Sequence, residues 1–400
     1  MRMGVKSLFL LFVFLVMGNG QTVEVVWKKA LNVPPQKNCR IPKFTPDGRF
    51  ISFEVRDNEN AYLYLYEIAT DTYVQLGKKD AARRGGRFGL RSSLSTTFTG
   101  NITFWKDPED GTLLFDFVHT PFFGQRYLYQ ADIGPNEGIQ KFVNQPFSNS
   151  DIYYRFDNLA SLQMVRNPAF TNGTIADIPW VAFSDRQNLY VFNHGEFDDP
   201  IQLTNPTGIW ADMLPKFSPD DRTIAFIRDS RENTDIGLIT LQKKGNRLAK
   251  KNEKLIIHGK SIDVSPEWSP NGLKIAYYSD EGHPRNFSIW IYDVVTGEKY
   301  PVVENVVPNS YRIQGPAWVR NTGIVFVRRD IKKGFPIFYY DIPRKKEVLV
   351  PTHTLNNLDV AVHPIQGNEY LMVFASGGAT TGEEKFIWTK LFLAKIRIHE

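Results

Sequence analysis

The feature that most constrains the fold of this sequence is a short unit that recurs along the chain. Each copy places an aromatic residue before a turn and an alternating apolar strand after it. The five clear copies are IPKFTPDGRFISFEV from Ile41, ITFWKDPEDGTLLFDFV from Ile102, LPKFSPDDRTIAFIR from Leu214, SPEWSPNGLKIAYYS from Ser265 and GPAWVRNTGIVFVRR from Gly315. Self-similarity of this kind predicts a repeat architecture, in which one supersecondary unit is used many times.

The turn inside each unit has residues suited to a tight β-hairpin. Proline fixes φ where the turn begins, the Asp or Asn after it hydrogen-bonds the turn backbone, and glycine accepts a positive φ. The prolines are Pro46, Pro219 and Pro270, and the glycines are Gly48, Gly111, Gly272 and Gly323. The flanking runs are short and rich in β-forming residues, so each unit predicts a hairpin.

A second pair of strands follows each hairpin, as in AYLYLYEIATDTYVQL from Ala61 and FSIWIYDVVTGEKYPVV from Phe287. Successive units begin at Leu214, Ser265 and Gly315. Their spacing is that of β-propeller blades, which use about 40–50 residues for four strands. The sequence therefore predicts an all-β propeller. No helical periodicity of useful length and no low-complexity linker interrupts it.

Two degenerate units raise the predicted blade count to seven, with six as the alternative if one unit is merged. They begin at Asn167 and Leu358. The last unit contains only three strands, and the segment TVEVVWKKAL from Thr22 is similar to the fourth strands of other units. We therefore expect the N-terminal strand to complete the last blade and close the ring, because an unpaired sheet edge is a liability.

The repeat resembles that of TolB-like β-propellers, a WD-like repeat centred on Pro-Asp. The segments that carry the resemblance best run from Phe44 to Phe53, from Phe217 to Phe226 and from Trp268 to Tyr277. The same repeat is found in the propellers of tricorn-type and dipeptidyl-peptidase enzymes. The resemblance implies a fold and leaves the function open, since this fold serves scaffolds, gates and a few enzymes.

The N-terminus is typical of a secretory signal peptide. Arg2 and Lys6 precede an apolar run from Leu8 to Met17, and small residues stand before Gln21. We expect residues 1–20 to be the signal peptide and residues 21–400 a single propeller domain. The run is too short to span a membrane, which takes about 20 residues. Without a cysteine after the expected cut there is no lipid-anchor site, so a periplasmic or secreted protein is predicted.

Composition limits the kinds of partner and the means of stabilisation that are expected for this chain. Cys39 is the sole cysteine, so an internal disulfide is excluded and the core must supply the stability. The formal net charge of +5 favours no anionic partner in particular. A basic run lies at residues 77–93, but no aromatic stacking platform accompanies it, so a nucleic-acid partner is not expected.

Catalytic signatures are sparse in the sequence. It contains no Gly-x-Ser-x-Gly nucleophile elbow, and its seven histidines show no close metal-site spacing. No cofactor is predicted. His353 and His363 are weak metal candidates, and oligogalacturonate lyases, which resemble this repeat class, use propeller histidines with a divalent metal. The alternative function is therefore a metal-dependent, carbohydrate-active propeller with a polysaccharide partner.

A charge pattern recurs where the second strand of a unit ends. Its members are Arg56, Asp57, Arg228, Asp229, Asp280, Arg328, Arg329 and Asp330. Because these loops share one face of a propeller, the residues are predicted to form a partner-binding ring, here called the loop ring. The competing interpretation is that Asp caps the turns and Arg pairs with neighbours. The leading functional prediction is a non-enzymatic, exported scaffold that binds a protein partner in the cell envelope.

Overall fold

The computed structural model describes most of the chain in a series of ranges. They are residues 21–35, 37–56, 60–76, 99–122, 125–144, 153–154, 166–173, 179–185, 187–194, 200–230, 232–245, 247–309, 313–330, 332, 334–377 and 388–399. Among these residues, no helix is long and apolar enough to cross a membrane. The expected signal peptide lies outside the described residues.

Seven four-stranded antiparallel sheets make up the described structure, and each is one blade. The first strand in chain order is β1 (Thr22–Ala30). Blade 1 then contains β2 (Cys39–Phe44), β3 (Phe50–Arg56), β4 (Ala61–Glu67) and β5 (Thr72–Leu76). Blade 2 contains β6 (Thr99–Lys106), β7 (Leu113–Phe122), β8 (Gln125–Ile133) and β9 (Tyr153–Tyr154), with the short helix α1 (Gln140–Asn144) between the last two strands.

The next three blades follow the same plan. Blade 3 contains β10 (Arg166–Phe170), β11 (Trp180–Ser184), β12 (Leu189–Asn193) and β13 (Ile201–Gln202). Blade 4 contains β14 (Ala211–Phe217), β15 (Thr223–Asp229), β16 (Thr234–Lys244) and β17 (Arg247–Ile257). Blade 5 contains β18 (Asp263–Trp268), β19 (Lys274–Ser279), β20 (Ser288–Asp293) and β21 (Lys299–Val303).

The last two blades complete the ring. Blade 6 contains β22 (Ala317–Val319), β23 (Gly323–Val327), β24 (Ile337–Asp341) and β25 (Lys346–Leu349). Blade 7 contains β26 (Asn357–Gln366), β27 (Glu369–Gly377) and β28 (Thr389–His399). Its fourth strand is β1, which pairs antiparallel with β28 in the register Thr22↔His399 to Ala30↔Phe392. The predicted count of seven and the predicted closure by the N-terminal strand are both confirmed.

The core lies between neighbouring sheets. Phe50, Leu63 and Leu65 of blade 1 pack with Phe115 and Phe117 of blade 2 in one buried cluster, and comparable clusters fill the other blade interfaces. Alternating apolar side chains on each strand reach the adjacent blade, so every sheet buries both faces. The resulting ring holds the first strand of every blade around a central space.

The predicted turn chemistry is observed at three of the four glycines, but the prediction for Gly323 is wrong: this residue begins β23 without a positive φ, and Arg320 before it has a φ of 52°. Gly48 and Gly272 have φ of 70° and 71°, as the sequence requires. In blade 4 no glycine is available, and Asp221 adopts a φ of 57° instead. Each of these turns is also closed by the hydroxyl that precedes it. Thr45 Oγ1 accepts a hydrogen bond from the Phe50 backbone N–H at 3.1 Å, for example.

Six of the seven innermost strands contain a β-bulge at the same place. A residue of the bulge adopts a left-handed φ between 51° and 55° without being glycine; these residues are Ile41, Asn101, Asn167, Leu214, Ser265 and Asp359. Such backbone is costly for L-residues, and bulges re-aim the side chains that follow. The repeated bulge therefore sets which side chains turn toward the centre of the ring.

In two of the bulges, a backbone N–H group donates a hydrogen bond to a carboxylate of the preceding blade. Asp359 Oδ2 of blade 7 accepts hydrogen bonds from the Ile41 N–H at 3.1 Å and from Arg40 Nε at 2.7 Å. Glu54 Oε1 of blade 1 accepts one from the Asn101 N–H at 2.9 Å. These contacts join blade 7 to blade 1 and blade 1 to blade 2, so the strained backbone is held by bonds between blades.

Candidate functional site

A central cavity of about 470 Å³ runs along the axis of the ring and is lined by the innermost strands of all seven blades. The lining includes one residue from the same register position of each blade. These residues are Lys43, Thr103, Ala169, Lys216, Glu267, Ala317 and Ala361, called here the channel ring. In six blades the channel-ring residue is the first one paired after the bulge, which is why it is aimed consistently.

Three members of the channel ring carry charge, and each is half-buried. Lys216 Nζ donates to Glu267 Oε2, so these two side chains form an ion pair across the boundary of blades 4 and 5. Lys43 Nζ donates to the carbonyl oxygen of Ile102 in blade 2 at 3.0 Å. A channel with small Ala and Thr side chains at the other positions leaves these charged groups facing open space.

Lys43 is the electrostatically unusual member. Its pKa is lowered to about 8, mainly by burial and also by the neighbouring Lys216, while Glu267 and Glu54 act in the opposite direction. An ammonium with such a pKa is incompletely compensated by its protein surroundings. The group is therefore poised to interact with an anion that enters the channel.

Two tryptophans fix the backbone of the channel ring. Trp268 Nε1 donates to the Lys216 carbonyl oxygen at 3.1 Å, and Trp318 Nε1 donates to the Glu267 carbonyl oxygen at 3.0 Å. Each bond joins one blade to the blade before it. Gly315 adds to this rigidity, because a Cβ there would lie 2.5 Å from both Glu267 Cβ and the Ser265 carbonyl oxygen.

Two amide side chains line the same cavity. Gln314 is 7% exposed, and its Nε2 donates to the Pro42 carbonyl oxygen in blade 1 at 2.7 Å. That bond fixes the orientation of the amide and leaves Oε1 as an acceptor; the latter is buried and has no hydrogen-bond partner among the described residues. Asn101 Oδ1 is a second buried acceptor that has no hydrogen-bond partner among the described residues.

The loop-ring arginines of blades 1 and 4 are held by carboxylates. Arg228 donates from Nε and Nη2 to Asp212 at 2.7 and 2.8 Å, and from Nη2 to Glu253 at 2.7 Å. Arg56 pairs with Glu54 at 2.6 Å. Asp57 lies outside the described residues. Planar guanidinium groups held in this way are rigid donors.

The loop-ring residues of blades 5 and 6 contact mainly backbone. Asp280 accepts hydrogen bonds from the backbone N–H groups of residues 262 and 285, at 2.8 and 2.9 Å, which is a turn-capping role. Arg328 donates to Glu347 and to the carbonyl oxygen of residue 304. Arg329 donates to the carbonyl oxygen of residue 285 at 3.3 Å, and Asp330 accepts from the N–H of residue 332 at 3.1 Å.

Strand register relates four members of the loop ring. Arg56, Asp229, Asp280 and Arg329 each stand four positions after the partner of a channel-ring residue, these partners being Ser52, Ala225, Ala276 and Val325. They therefore occupy the same place in blades 1, 4, 5 and 6. The channel ring lies on the first strand of each blade and the loop ring at the end of the second strand, and the residues lining the cavity include none of the loop ring.

The two histidine candidates for a metal site lie in different surroundings. His363 lines the cavity beside Phe44, with ring centroids 5.5 Å apart, and burial lowers its pKa while Asp47 opposes that shift. His353 is in the connection before β26, with a φ of 52°. Within the described ranges, no three His, Cys, Asp or Glu side chains come together as a metal-binding group.

Comparison with solved structures identifies proteins with a similar fold. The chain is similar to a puromycin-hydrolysing peptidase from Mycobacterium tuberculosis, at a TM-score of 0.54 and 11% identity, over 87% of this chain and 53% of that one. It thus spans about half the length of that peptidase. It is also similar to an oligogalacturonate lyase from Vibrio parahaemolyticus (TM-score 0.49, 14% identity, 94% and 98% coverage) and to TolB from Acinetobacter baumannii (0.37, 15%, 89% and 80%).

The chain is a seven-bladed β-propeller. No family model and no curated protein matches the sequence of this propeller. At these identities the likeness shows the fold alone, and the same fold supports unrelated activities. The function of the propeller must therefore be argued from its own surfaces.

Sequence reasoning missed the channel ring. Its signal was present in the repeat, since the residue between the proline and the aromatic is Lys43 in IPKF, Lys216 in LPKF and Glu267 in SPEW. Strand alternation alone does not reveal that this position faces the channel, because the bulge before it changes the direction of the side chains.

Proposed function

We propose that this protein is an exported, non-enzymatic scaffold that binds a protein partner in the cell envelope. The observation that carries the proposal is an exposed apolar pair on blade 5. Leu273 and Val295 are 48% and 75% exposed, on adjacent turns joined by the hydrogen bond from Val294 N–H to the Leu273 carbonyl oxygen at 3.0 Å. Large apolar side chains held in solvent by rigid turns favour an interaction surface.

A groove borders this pair. It lies between blades 4 and 5 and has a volume of about 920 Å³. Its lining combines apolar residues, including Pro219, Trp268 and Leu273, with the charged residues Asp220, Arg222 and Lys243. Its walls are the turns between the first and second strands of both blades, on the face of the ring opposite the loop ring. An apolar segment of a partner that covers Leu273 would continue into this groove. Buried apolar anchors in pockets carry most of the affinity of protein interfaces.

The exported location rests on the basic and apolar N-terminal segment. The loop ring offers a second contact face, where Arg228 and Arg328 also lie over the aromatic rings of Phe226 and Phe326 at 5.5 and 5.3 Å. Arginine and aromatic groups are common in interface hot spots. On the loop-ring face Arg56 and Arg228 are already held by carboxylates, so these two side chains would bind a partner with little further cost of ordering.

Crosslinked pull-down from native envelope extracts tests the scaffold proposal. We expect the wild-type protein to retain a specific partner, and the double variant Leu273→Ser, Val295→Ser to lose it by at least about tenfold. The triple variant Arg56→Ala, Arg228→Ala, Arg329→Ala tests the loop ring in the same assay. Val143→Ser is the matched control, because Val143 is 52% exposed on blade 2. Retention of no partner by the folded wild type would contradict the proposal.

A metal-dependent, carbohydrate-active enzyme is the second candidate, and the position of His363 favours it. Burial lowers the pKa of this imidazole and so favours the neutral form that binds a metal, and His363 lines the central cavity. Metal analysis of the purified protein and an assay for unsaturated sugar products test this candidate. A tightly bound divalent ion lost in His363→Ala, together with product release, would replace the scaffold proposal.

A further inference from the structure

The outer hairpin of blade 4 concentrates the positive charge of the protein. Residues 242–254, named here the basic ribbon, contain six Lys or Arg residues and one Glu, a formal charge of +5. The formal net charge of the whole chain is also +5, so the rest of the sequence is neutral on balance. A patch of one sign attracts partners of the opposite sign and speeds their association.

The basic ribbon extends past the body of its blade. β15 pairs with β16 only as far as Thr240, whereas β17 remains paired with β16 as far as Lys244. β16 and β17 have 11 residues each, against 6 and 5 in the corresponding strands of blade 5. The end of the ribbon therefore projects roughly 13 Å beyond the last β15–β16 pair, at about 3.4 Å per residue.

Several cations of this region are available to a partner. Glu253, the carboxylate of the ribbon, is shared between Arg228 at 2.7 Å and Lys250 at 2.8 Å. Four other basic side chains are exposed and form no ion pair with any residue that the structure describes: Arg222, Lys243, Lys244 and Lys251.

Protection of a sheet edge does not account for this charge. Lysine is common on outer strands because it discourages pairing with another chain. The strands β5, β21 and β25 are the outer strands of blades 1, 5 and 6, yet their sequences are TYVQL, KYPVV and KEVL, with at most one lysine each. The charge of the ribbon therefore calls for another explanation.

The ribbon and the apolar pair of blade 5 border the same groove. Arg222 and Lys243 line it from blade 4, and Leu273 lines it from blade 5. Asp220 also lines it, and its carboxylate accepts a hydrogen bond from Ser218 Oγ at 2.6 Å. A polypeptide segment can enter such a groove and contact both walls, whereas a lipid surface would contact only the rim.

We propose that the partner bound at this groove presents an acidic polypeptide segment, whose carboxylates pair with the basic ribbon while its apolar residues cover Leu273. The inference rests on the scaffold proposal and adds the chemistry of the partner. The charge pairs would set specificity and the rate of association, and the apolar contact would supply affinity.

Fluorescence anisotropy with three labelled peptides tests the inference. The first peptide has four glutamates beside two leucines, the second has glutamines in place of the glutamates, and the third has lysines there. We expect wild type to bind the glutamate peptide at least about tenfold more tightly than the other two. This affinity should fall as salt is raised from about 50 to about 300 mM, because exposed charges are screened. No preference for the glutamate peptide would overturn the inference.

Ribbon variants locate the binding. The quadruple variant Arg222→Gln, Lys243→Gln, Lys244→Gln, Lys251→Gln should bind the glutamate peptide at least about tenfold more weakly and keep the wild-type melting temperature, because these side chains are exposed. Glutamate at the same four positions should transfer the preference to the lysine peptide. The matched control changes four exposed lysines elsewhere to glutamine, namely Lys37, Lys106, Lys332 and Lys390. Equal weakening in the control and the ribbon variant would overturn the inference.

The crosslinked pull-down separates this inference from the scaffold proposal. We expect the quadruple glutamine variant to lose the partner that wild type and the control retain. Equal retention by that variant would overturn the acidic-segment inference and leave the scaffold proposal intact, whereas retention of no partner by wild type would contradict the scaffold proposal itself. Ribbon-dependent binding to phosphatidylglycerol vesicles without binding of the glutamate peptide would assign the ribbon to a lipid surface instead.

Discussion

Gln21 and Asp341, 320 positions apart in the chain, are joined by a buried hydrogen bond of 2.7 Å from Nε2 to Oδ2. Asp341 ends the third strand of blade 6, and its carboxylate also accepts from Arg344 Nη1 at 2.9 Å. Gln21 stands directly before the strand that completes blade 7. The N-terminal segment is thus tied to two blades at once, by its ladder with β28 and by this side-chain contact.

Removing the closing strand should destabilise the whole ring. Deletion of residues 22–31 exposes the edge of β28 and removes the buried side chains of Val23 and Leu31. We expect the melting temperature to fall by about 10 °C or more, since several kcal/mol are lost. Differential scanning calorimetry measures it, and an unchanged melting temperature would refute closure by this strand.

The buried carboxylate of Asp359 should contribute strongly to stability. It is 1% exposed and binds Arg40 and the strained Ile41 N–H across the seam between blades 7 and 1. Asp359→Asn should lower the free energy of unfolding by about 2–4 kcal/mol, because Arg40 loses its counter-charge. Urea denaturation measures the change. Asp132→Asn is the control, since the Asp132 side chain is 52% exposed, and its effect should stay below about 1 kcal/mol.

Lys43 should make stability depend on pH in the alkaline range. Its pKa is about 8 in the folded protein against 10.5 for the free side chain, so between these values the unfolded chain binds a proton that the folded chain has lost. The free energy of unfolding therefore rises with pH from 8 to 10.5 and loses this contribution as the pH falls through 8.

Comparison with Lys43→Met isolates this contribution. Lys216, Glu267 and Glu54 face the same ammonium and are retained in the variant. We expect the variant to be more stable than wild type at pH 7, by up to about 3 kcal/mol, and this advantage to decline toward pH 10.5. Urea denaturation at several pH values measures it. A difference that is constant with pH would show that Lys43 has an ordinary pKa.

Replacing Gly237 with a larger residue should destabilise the protein, because the aromatic ring of Phe226 lies against it. A Cβ at this position would lie 2.3 Å from Phe226 Cζ, and Phe226 is fully buried. Gly237→Ala should cost about 1–3 kcal/mol through overpacking between β15 and β16. Gly259→Ala is the matched control, because its nearest atom is Ser261 Oγ at 3.9 Å. Equal denaturation midpoints for the two variants would contradict this packing.

The fold was predictable because local signals agreed with the global pattern. Pro46, Asp47 and Gly48 specify a turn by their own backbone preferences, and the same chemistry recurs at Pro270. The closing role of the segment from Thr22 was also predictable, because the last unit lacked a strand and this segment matched the missing one. Both signals are local or compositional, so one sequence is sufficient to read them.

The channel ring was not predictable, because it depends on contacts between residues that are distant in the sequence. Lys43, Lys216 and Glu267 become neighbours only when the blades close into a ring, and the left-handed residues before them re-aim their side chains. Ile41 and Leu214 give no sign of a positive φ, because β-branched and large apolar residues rarely adopt it. Arg228 illustrates the same limit, since its partners Asp212 and Glu253 lie on β14 and β17.

The closed ring positions the channel ring and both proposed contact faces, and one crosslink tests the closure most directly. Thr22 and His399 are paired in register and exposed, whereas Cys39 is buried with a pKa raised to about 12 and will not compete for a thiol reagent. We predict that the variant Thr22→Cys, His399→Cys treated with a short bis-maleimide gains one intramolecular crosslink, seen by mass spectrometry of the intact monomer. Two singly modified thiols, or crosslinked dimers alone, would contradict the closed ring.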